Sequence, residues 1–414
     1  MTTKSDNIDL NNPELQQALQ IIQFTRNSLF LTGRAGTGKS TFLRYIAANT
    51  HKKHVVLAPT GIAAINAGGS TLHSFFKLPF YPLLPNDTRY SVRHLRSTMK
   101  YSSEKIKLLK ELELIIIDEI SMVRADIIDF IDKLLRVYCR NMREPFGGKQ
   151  MLFVGDIYQL EPVIKEDDRR LLHPFYPSGY FFDARIFRSF QLVSVELQKV
   201  YRQTDPEFIS LLDDIRTNTA TESDLARLNK RVGQSFQDDT DGLSITLSAR
   251  RDTVDYINRR ELDKLEGKPF IAKGEINGEF PENALPTPVE LELKPGCHVM
   301  FIKNDMKKRW VNGTLGVVSA IDEDGGVVSV ITEDGSEYDV ERELWENVRY
   351  KFNETEEKIE EEQIGTYVQF PLRLAWAITV HKSQGLTFRR VNIDFTGGAF
   401  AGGQTYVALS RASP

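Results

Sequence analysis

Four short, wholly apolar runs punctuate the first part of the chain: Leu29-Phe30-Leu31, Val55-Val56-Leu57-Ala58, Leu114-Ile115-Ile116-Ile117 and Met151 to Val154. Runs of this length without polar alternation fit strands covered on both faces. Between them lie segments with helical spacing. Leu15, Leu19 and Ile22 recur over residues 13–26, behind Asn11 or Asn12 as N-cap and with Pro13 in the first turn. Thr41 to Ala48, and an Ile- and Leu-rich stretch from Ala125 to Cys139, read as further helices. Strand and helix in alternation predict a doubly wound parallel α/β sheet.

The pattern changes further on. Residues 77–110 open with Pro79, Pro82 and Pro85, then become basic: Arg89, Arg93, His94, Arg96, Lys100, Lys105, Lys107 and Lys110, interleaved with Tyr90 and Tyr101. A solvated helix face and an excursion that touches a phosphate backbone fit this equally well. Residues 165–182, broken by Pro174, Pro177 and Gly179, predict the passage to a second domain. Strands at Val193–Leu197 and Leu243–Leu247 then flank a helical region at 206–232. From about Lys294 the strands shorten to Val299–Ile302, Gly316–Val318 and Val327–Ile331. Asn312-Gly313, Asp324-Gly325-Gly326 and Asp334-Gly335 are the turns between them. Lys303, Lys307, Lys308, Arg309 and Trp310 form a basic-aromatic patch, and the acidic run Glu354–Glu362 reads as a solvated linker or helix face.

Composition adds bounds. The 414 residues are 41% hydrophobic and 27% charged, enough for two or three soluble domains. Residues Met1 to Asn12 are polar and resemble neither a signal nor a transit peptide, and no apolar run approaches a membrane span. Cys139 and Cys297 stand far apart without metal spacing, which fits a reduced, intracellular protein. A net charge of −4 gives no global sign of a nucleic-acid partner, but a binding groove needs only local positive charge.

The chemistry begins at Gly33-Arg34-Ala35-Gly36-Thr37-Gly38-Lys39-Ser40, which fits the phosphate-binding loop between strand and helix. Backbone N–H groups of Gly36, Thr37 and Gly38, with the start of the following helix at Ser40 and Thr41, would cradle phosphates. Lys39 would neutralise their charge and Ser40 would coordinate Mg²⁺. Asp118-Glu119, behind four aliphatics, would hold Mg²⁺ and polarise the attacking water respectively. Gln159 falls where it could touch both a γ-phosphate and a bound strand. At the end of the second strand, Thr60 and His73 offer hydrogen bonds and Phe75-Phe76 flat apolar surface, although core and cap roles suit His73 and the Phe pair better on their own.

Ordered and spaced in this way, the phosphate loop, Ala58-Pro59-Thr60-Gly61, Ile117-Asp118-Glu119 and Gly155-Asp156 to Pro162 resemble the motifs of superfamily 1 helicases of the 5′-to-3′ branch. Ile131-Asp132-Lys133-Leu134 through Pro145-Phe146-Gly147-Gly148 narrows the resemblance to the petite integration frequency (PIF-type) DNA helicases. It covers nearly the whole chain. The resemblance implies two RecA-like doubly wound lobes with a nucleotide cleft between them and single-stranded DNA across both. The first lobe would span residues 1–180, the second 181–293 and 364–414, with a small SH3-like β-barrel inserted at 294–363.

It also implies roles for individual residues. Arg202 in Tyr201-Arg202-Gln203 and Arg411 in Tyr406–Arg411 would reach the γ-phosphate, with Lys39, Asp118, Glu119 and Gln159 completing the catalytic set. Gln16 or Gln17 would read adenine, and Gly385 would join the nucleotide contacts. Thr60, Gly61, His73, Phe75, Thr379, His381, Lys382 and Thr387 would touch the strand. The implied function is ATP- and Mg²⁺-dependent 5′-to-3′ unwinding of tailed or forked duplex, and of G-quadruplex or RNA–DNA hybrid. Genome maintenance (repair, recombination, telomeres), by a monomer inside the cell without membrane contact, would be its setting. An ATPase indifferent to DNA and a RecD-like recombination helicase are the alternatives. Family members usually continue past the final arginine, so a further C-terminal strand or tail beyond Pro414 is an open expectation.

Overall fold

The structure is a computed structural model that describes residues 8–234, 243–322 and 326–412. Residues 1–7, the Asp324-Gly325 part of one predicted turn, and Pro414 lie outside the described residues. The chain divides into two units. The first comprises residues 1–201 with 348–363, and the second 202–347 with 364–414.

The first unit is built on a six-stranded sheet of β1 (Leu29–Gly33), β2 (His54–Ala58), β3 (Ser70–Thr71), β4 (Leu114–Ile117), β5 (Gln150–Val154) and β6 (Val193–Leu197). The order is β3-β2-β4-β5-β1-β6, with every neighbouring pair parallel. Successive side chains point to opposite faces. Ile115, Ile117, Val55, Met151 and Phe153 therefore enter one core, while Leu114, Ile116, Val56, Leu152 and Val154 enter another. Two covered faces explain the unbroken apolar runs. The helix Pro13–Phe24 packs on the second core with Asn12 as its N-cap, whose side chain accepts from the Leu15 N–H. The helices Lys39–Asn49 and Ala125–Tyr138 fall where the spacing predicted them.

Two expected boundaries shift. Val193–Leu197, assigned from sequence to the second lobe, instead extends the first sheet: it pairs parallel to β1 over five residues. The first unit thus runs to Tyr201 rather than 180. The helical region 206–232 is two helices, Pro206–Arg216 and Glu222–Asn229. Asn218 breaks it in the left-handed region (φ 58°), and a Thr221–Asp224 capping box restarts it.

In the second unit, β7 (Ile245–Ser248) lies between two parallel neighbours that come much later in the chain, residues 377–379 and 391–394. Between these segments the chain forms an antiparallel region, wider than the expected insertion at 294–363. The strands β8 (Phe270–Lys273), β9 (Glu275–Gly278) and β10 (Glu290–Leu293) precede it, and β8 pairs with β10. A five-stranded sheet follows, made of β11 (His298–Phe301), β12 (Leu315–Asp322), β13 (Val327–Thr332), β14 (Glu337–Val340) and, after a long hairpin, β17 (Leu372–Leu374). The two sheets share a core that includes Ala272, Leu291, Val299, Phe301 and Val330. Trp310, read as part of a basic-aromatic patch, is buried there, stacked on Phe301 with ring centroids 4.4 Å apart.

The acidic run is neither linker nor helix. It forms the turn and second strand of the hairpin β15 (Glu343–Asn353) and β16 (Lys358–Gln369). The tip of that hairpin belongs to the first unit, where Tyr350 packs on Phe75 and Lys107 pairs with Glu354 at 2.5 Å. The chain closes with β18 (Ala377–Thr379), β19 (Val391–Asp394) and the helix Gln404–Leu409.

Candidate nucleotide and strand-binding sites

Parallel order places the C-terminal ends of β2, β4, β5, β1 and β6 along one edge of the first sheet. The phosphate loop leaves β1 there. Gly33 and Gly38 have φ of 146° and 88°, and a Cβ at Gly33 would lie 2.7 Å from the Leu197 carbonyl, so the loop can take this course only with glycine. The Thr37 hydroxyl donates to the Arg34 carbonyl at 2.9 Å, and the Lys39 ammonium donates to the Gly33 and Arg34 carbonyls at 2.7 and 2.8 Å. The lysine thus lies over the loop that its own helix begins. Ser40 and Thr41 follow in the first turn of that helix.

Sequence reasoning passed over Tyr201 at this site. Its backbone N–H donates to the Gly36 carbonyl at 2.9 Å, its ring faces Gly38, and its hydroxyl donates to Asp9 at 2.9 Å. The only available signal was adjacency to Arg202. Gln16 donates its side-chain amide to the Leu10 carbonyl at 2.7 Å, and Gln17 is exposed on the same helix.

On the neighbouring strand, burial raises the Asp118 carboxyl to about 6, against the opposing pull of the Glu119 N–H, Lys39 and Arg44. Lys39 therefore stands within electrostatic reach of Asp118. Glu119 occupies the left-handed region (φ 47°, ψ 46°), a costly conformation for a residue with a side chain, and its N–H donates to Asp118 at 2.9 Å. Strain stored beside a charged pair is the pattern of a site over-determined by its surroundings. Beyond β5, Asp156 and Gln159 are buried, joined by the Gln159 N–H to the Asp156 carbonyl at 3.0 Å.

The expected strand contacts of this unit divide. Thr60 is the N-cap of the helix Gly61–Ala67, its hydroxyl accepting from the Ala63 N–H at 3.2 Å. His73 is stacked on Phe80 with centroids 4.9 Å apart and planes 6° from parallel, and burial first, Arg124 second, holds its pKa below the usual range. Phe75 is a correction: it is buried in the core, edge-on to Phe76, with the Lys105 ammonium 3.3 Å from its ring centroid. It points inward from a five-residue helix, so it offers no free face. The exposed aromatic is Phe80. Much of the basic stretch is also occupied, with Arg89 on Asp87 and Arg96 donating to the Val137 carbonyl.

The second unit gathers residues that the sequence scatters. Arg202 donates to the Ser410 carbonyl at 3.3 Å and to the Gly385 carbonyl at 3.4 Å; burial lowers its pKa. Arg411 is buried: Nε donates to Val407 at 3.0 Å, Nη1 to Ser383 and Leu386 at 3.3 Å each, and Nη2 to the Ser410 hydroxyl at 2.9 Å. Arg202, Gly385 and Arg411 thus meet around one turn, whose Gly385 has φ 77°. Arg411 is held far more firmly than an exposed finger would be. Thr379 caps the short helix Val380–Ser383 by accepting from the Lys382 N–H, and His381 stacks on Phe400 (6.4 Å, 18°). Partial burial, followed by repulsion from Arg373 and Arg251, lowers Lys382 to about 8; Thr387 is half-buried.

The family model for PIF1-like helicases matches residues 14–224. A crystal structure of Bacteroides sp Pif1 in complex with ADP-AlF4 superposes with a TM-score of 0.86 and 41% identity, covering 98% of this chain and 90% of that one. The ATP-dependent DNA helicase Pif1 of Bdellovibrio bacteriovorus is 32% identical over 97% of this chain and 85% of its own length. The ATP-dependent DNA helicase PIF1 of Danio rerio is 34% identical over 93% of this chain, which spans only 57% of that relative. With its motifs on the sheet edge and these relatives along nearly its whole length, the chain belongs to the PIF1-like helicase family.

Proposed function

We propose that the chain is an ATP-dependent DNA helicase that moves 5′-to-3′ on single strands and opens tailed or forked duplex. The observation that carries this reading is the edge of the first sheet, where Lys39 lies over the phosphate loop within reach of a strained Asp118-Glu119 pair. The loop N–H groups and Lys39 bind the phosphates of ATP. The donor set also suits Mg²⁺: the Ser40 hydroxyl and the Asp118 carboxylate are hard oxygens, and a carboxylate pushed up by burial gains from a cation. When bound, the metal would neutralise charge between the β- and γ-phosphates. Among the described residues no cluster of three His, Cys, Asp or Glu could hold a metal alone, consistent with a site completed by phosphate and water.

Glu119 polarises the attacking water, Gln159 senses the γ-phosphate, and Arg202 and Arg411 supply donors to the charge that develops on it. Gln16 or Gln17 reads the adenine. Thr60, Gly61, His73, Thr379, His381, Lys382 and Thr387 hold the strand, with Phe80 and Phe400 in place of Phe75 as stacking surfaces. A Pif1 from Bacteroides has been described bound to single-stranded DNA, and two coordinating Pif1 helicases at forked duplex DNA, which supports the same substrates here. G-quadruplexes extend the substrate class, and a monomer is the working unit. No helix among the described residues is long and apolar enough to cross a membrane, and we place the enzyme inside the cell.

The test is ATP hydrolysis with and without single-stranded DNA, paired with unwinding of 5′- and 3′-tailed duplexes. Strong DNA stimulation and opening of the 5′-tailed duplex alone are expected. Hydrolysis indifferent to DNA would leave a phosphate-loop ATPase, and a 3′ preference would overturn the polarity.

A further inference from the structure

A cavity of about 300 Å³ lies wholly within the second unit. The helix Arg251–Lys264 forms one wall, β10 another, and residues 373–382 a third. Its size is at the lower end for small-molecule sites, about that of a single nucleotide. Leu291, Leu374 and Ile378 give it apolar surface.

The lining holds four cations, Arg251, Arg259, Arg373 and Lys382, and three carboxylates, Asp255, Glu290 and Glu292; Arg259 is paired with Asp263 and Glu292. Arg251, Arg373 and Lys382 all line the cavity and interact electrostatically with one another. Among the described residues Arg373 and Lys382 make no ion pair. Arg373 donates one guanidinium nitrogen to the Pro286 carbonyl, while its Nε is buried without a hydrogen-bond partner. Among the described residues Arg251 pairs with Asp255, at 3.5 Å between largely exposed side chains, an arrangement that contributes little; Asp255 also lines the cavity and attracts Lys382. Leaving the buried Arg373 donor unmade costs free energy, which an anion beside it would offset.

We propose that this cavity is a nucleotide-phosphate site, in which Arg251, Arg373 and Lys382 bind the phosphate while the apolar wall receives the sugar or base. Two sources share this chemistry: one nucleotide of a bound strand, or a free mononucleotide. The strand source rests on the function proposed above; the free nucleotide does not.

The test uses the full-length chain and two variants outside the residues assigned to catalysis or strand binding. Arg251→Ala removes an exposed cation and should fold; Arg373→Met keeps volume in the buried position. Binding of a short oligo(dT) is followed by fluorescence anisotropy through a salt titration. Thermal stability is followed with dTMP in a Lys39→Ala background, where the phosphate loop is disabled. If the strand is the source, Arg251→Ala weakens oligo(dT) binding about tenfold and makes the salt slope shallower by about 0.7. If a free nucleotide is the source, dTMP raises the melting temperature and Arg251→Ala removes that rise. An unchanged salt slope together with no Arg251-dependent dTMP stabilisation overturns the proposal. A chain that binds no oligo(dT) at all counts against the helicase reading, and the dTMP arm then decides the cavity by itself.

Discussion

The two units build their polar sites in opposite ways. In the first, eight consecutive residues form a loop out of backbone: glycines set the path, and a lysine folds back over carbonyls of the same loop. In the second, Arg202, Gly385 and Arg411 are separated by up to 209 positions, and packing alone brings them around one turn. A backbone site depends on local conformation and tolerates change in its surroundings. An assembled site depends on the stability of the unit that assembles it. Substitutions should therefore separate chemistry from folding in the first unit and entangle them in the second.

The largest effect sharpens the first half of that contrast. Lys39→Ala should abolish ATP hydrolysis while leaving the melting temperature and single-strand binding near those of the parent, because the ammonium bonds to backbone carbonyls of its own loop rather than packing in a core. Loss of the thermal transition would show that the loop needs its lysine to fold.

The arginines test the second half. An arginine meeting the γ-phosphate is worth on the order of 10³–10⁵ in rate, so Arg202→Ala and Arg411→Ala should both slow single-turnover hydrolysis severely. They should differ in stability. Arg202 makes two long bonds, at 3.3 and 3.4 Å, and its loss should leave the melting temperature nearly unchanged. Arg411 is buried and satisfies three carbonyls and a hydroxyl, so its removal should cost about 2–4 kcal/mol. Lysine should rescue neither well, since a point charge lacks the planar fork. Equal stability losses would break the distinction, and a normal chemical step in folded Arg411→Ala would make it a structural residue only.

The same contrast explains what the sequence made legible. Strands β1, β2, β4 and β5 were plain because burial on both faces leaves an unbroken apolar signature. The phosphate loop was plain because its spacing encodes a backbone path. Val193–Leu197 was read as a strand but placed in the wrong lobe, because which sheet a strand joins is a long-range pairing that local pattern does not carry. Phe75 was nominated for the strand path and proved to be core, since aromatic type alone does not say which side of a five-residue helix faces inward. Tyr201 went unnoticed because its contact with Gly36 is made by its backbone N–H, which has no residue signature.

Asp118 provides a smaller effect with a clear sign. Its folded pKa of about 6 lies above the ordinary 3.8, so its ionisation disfavours the folded state. The stability is fully present below the unfolded value and is lost as pH rises through the folded one. Asp118→Asn should therefore stabilise the nucleotide-free protein at pH 8, by a free energy on the order of 3 kcal/mol, raising its melting temperature there and having little effect near pH 4. Hydrolysis should vanish at every pH. Stabilisation that does not depend on pH would indicate repacking rather than relief of a buried charge.

The smallest effect concerns a feature the two units share. Each carries a histidine expected on the strand path, and each histidine is stacked on an exposed phenylalanine: His73 on Phe80, which is 75% exposed, and His381 on Phe400, which is 66% exposed. A large aromatic left this open, with a flat neighbour fixing its orientation, is a surface on which a base of any identity can stack. Burial lowers the pKa of both histidines, so both are neutral at pH 7 and above and bring ring area rather than charge. Phe80→Ala and Phe400→Ala should each weaken oligo(dT) binding by about 1 kcal/mol, with the salt slope unchanged and the affinity flat between pH 7 and pH 8. Substituting Lys382 should instead change the slope. If only one phenylalanine variant weakens binding, the strand stacks on one unit alone. A change in salt slope on losing either ring would mean that its neighbours, not the ring, carry the contact.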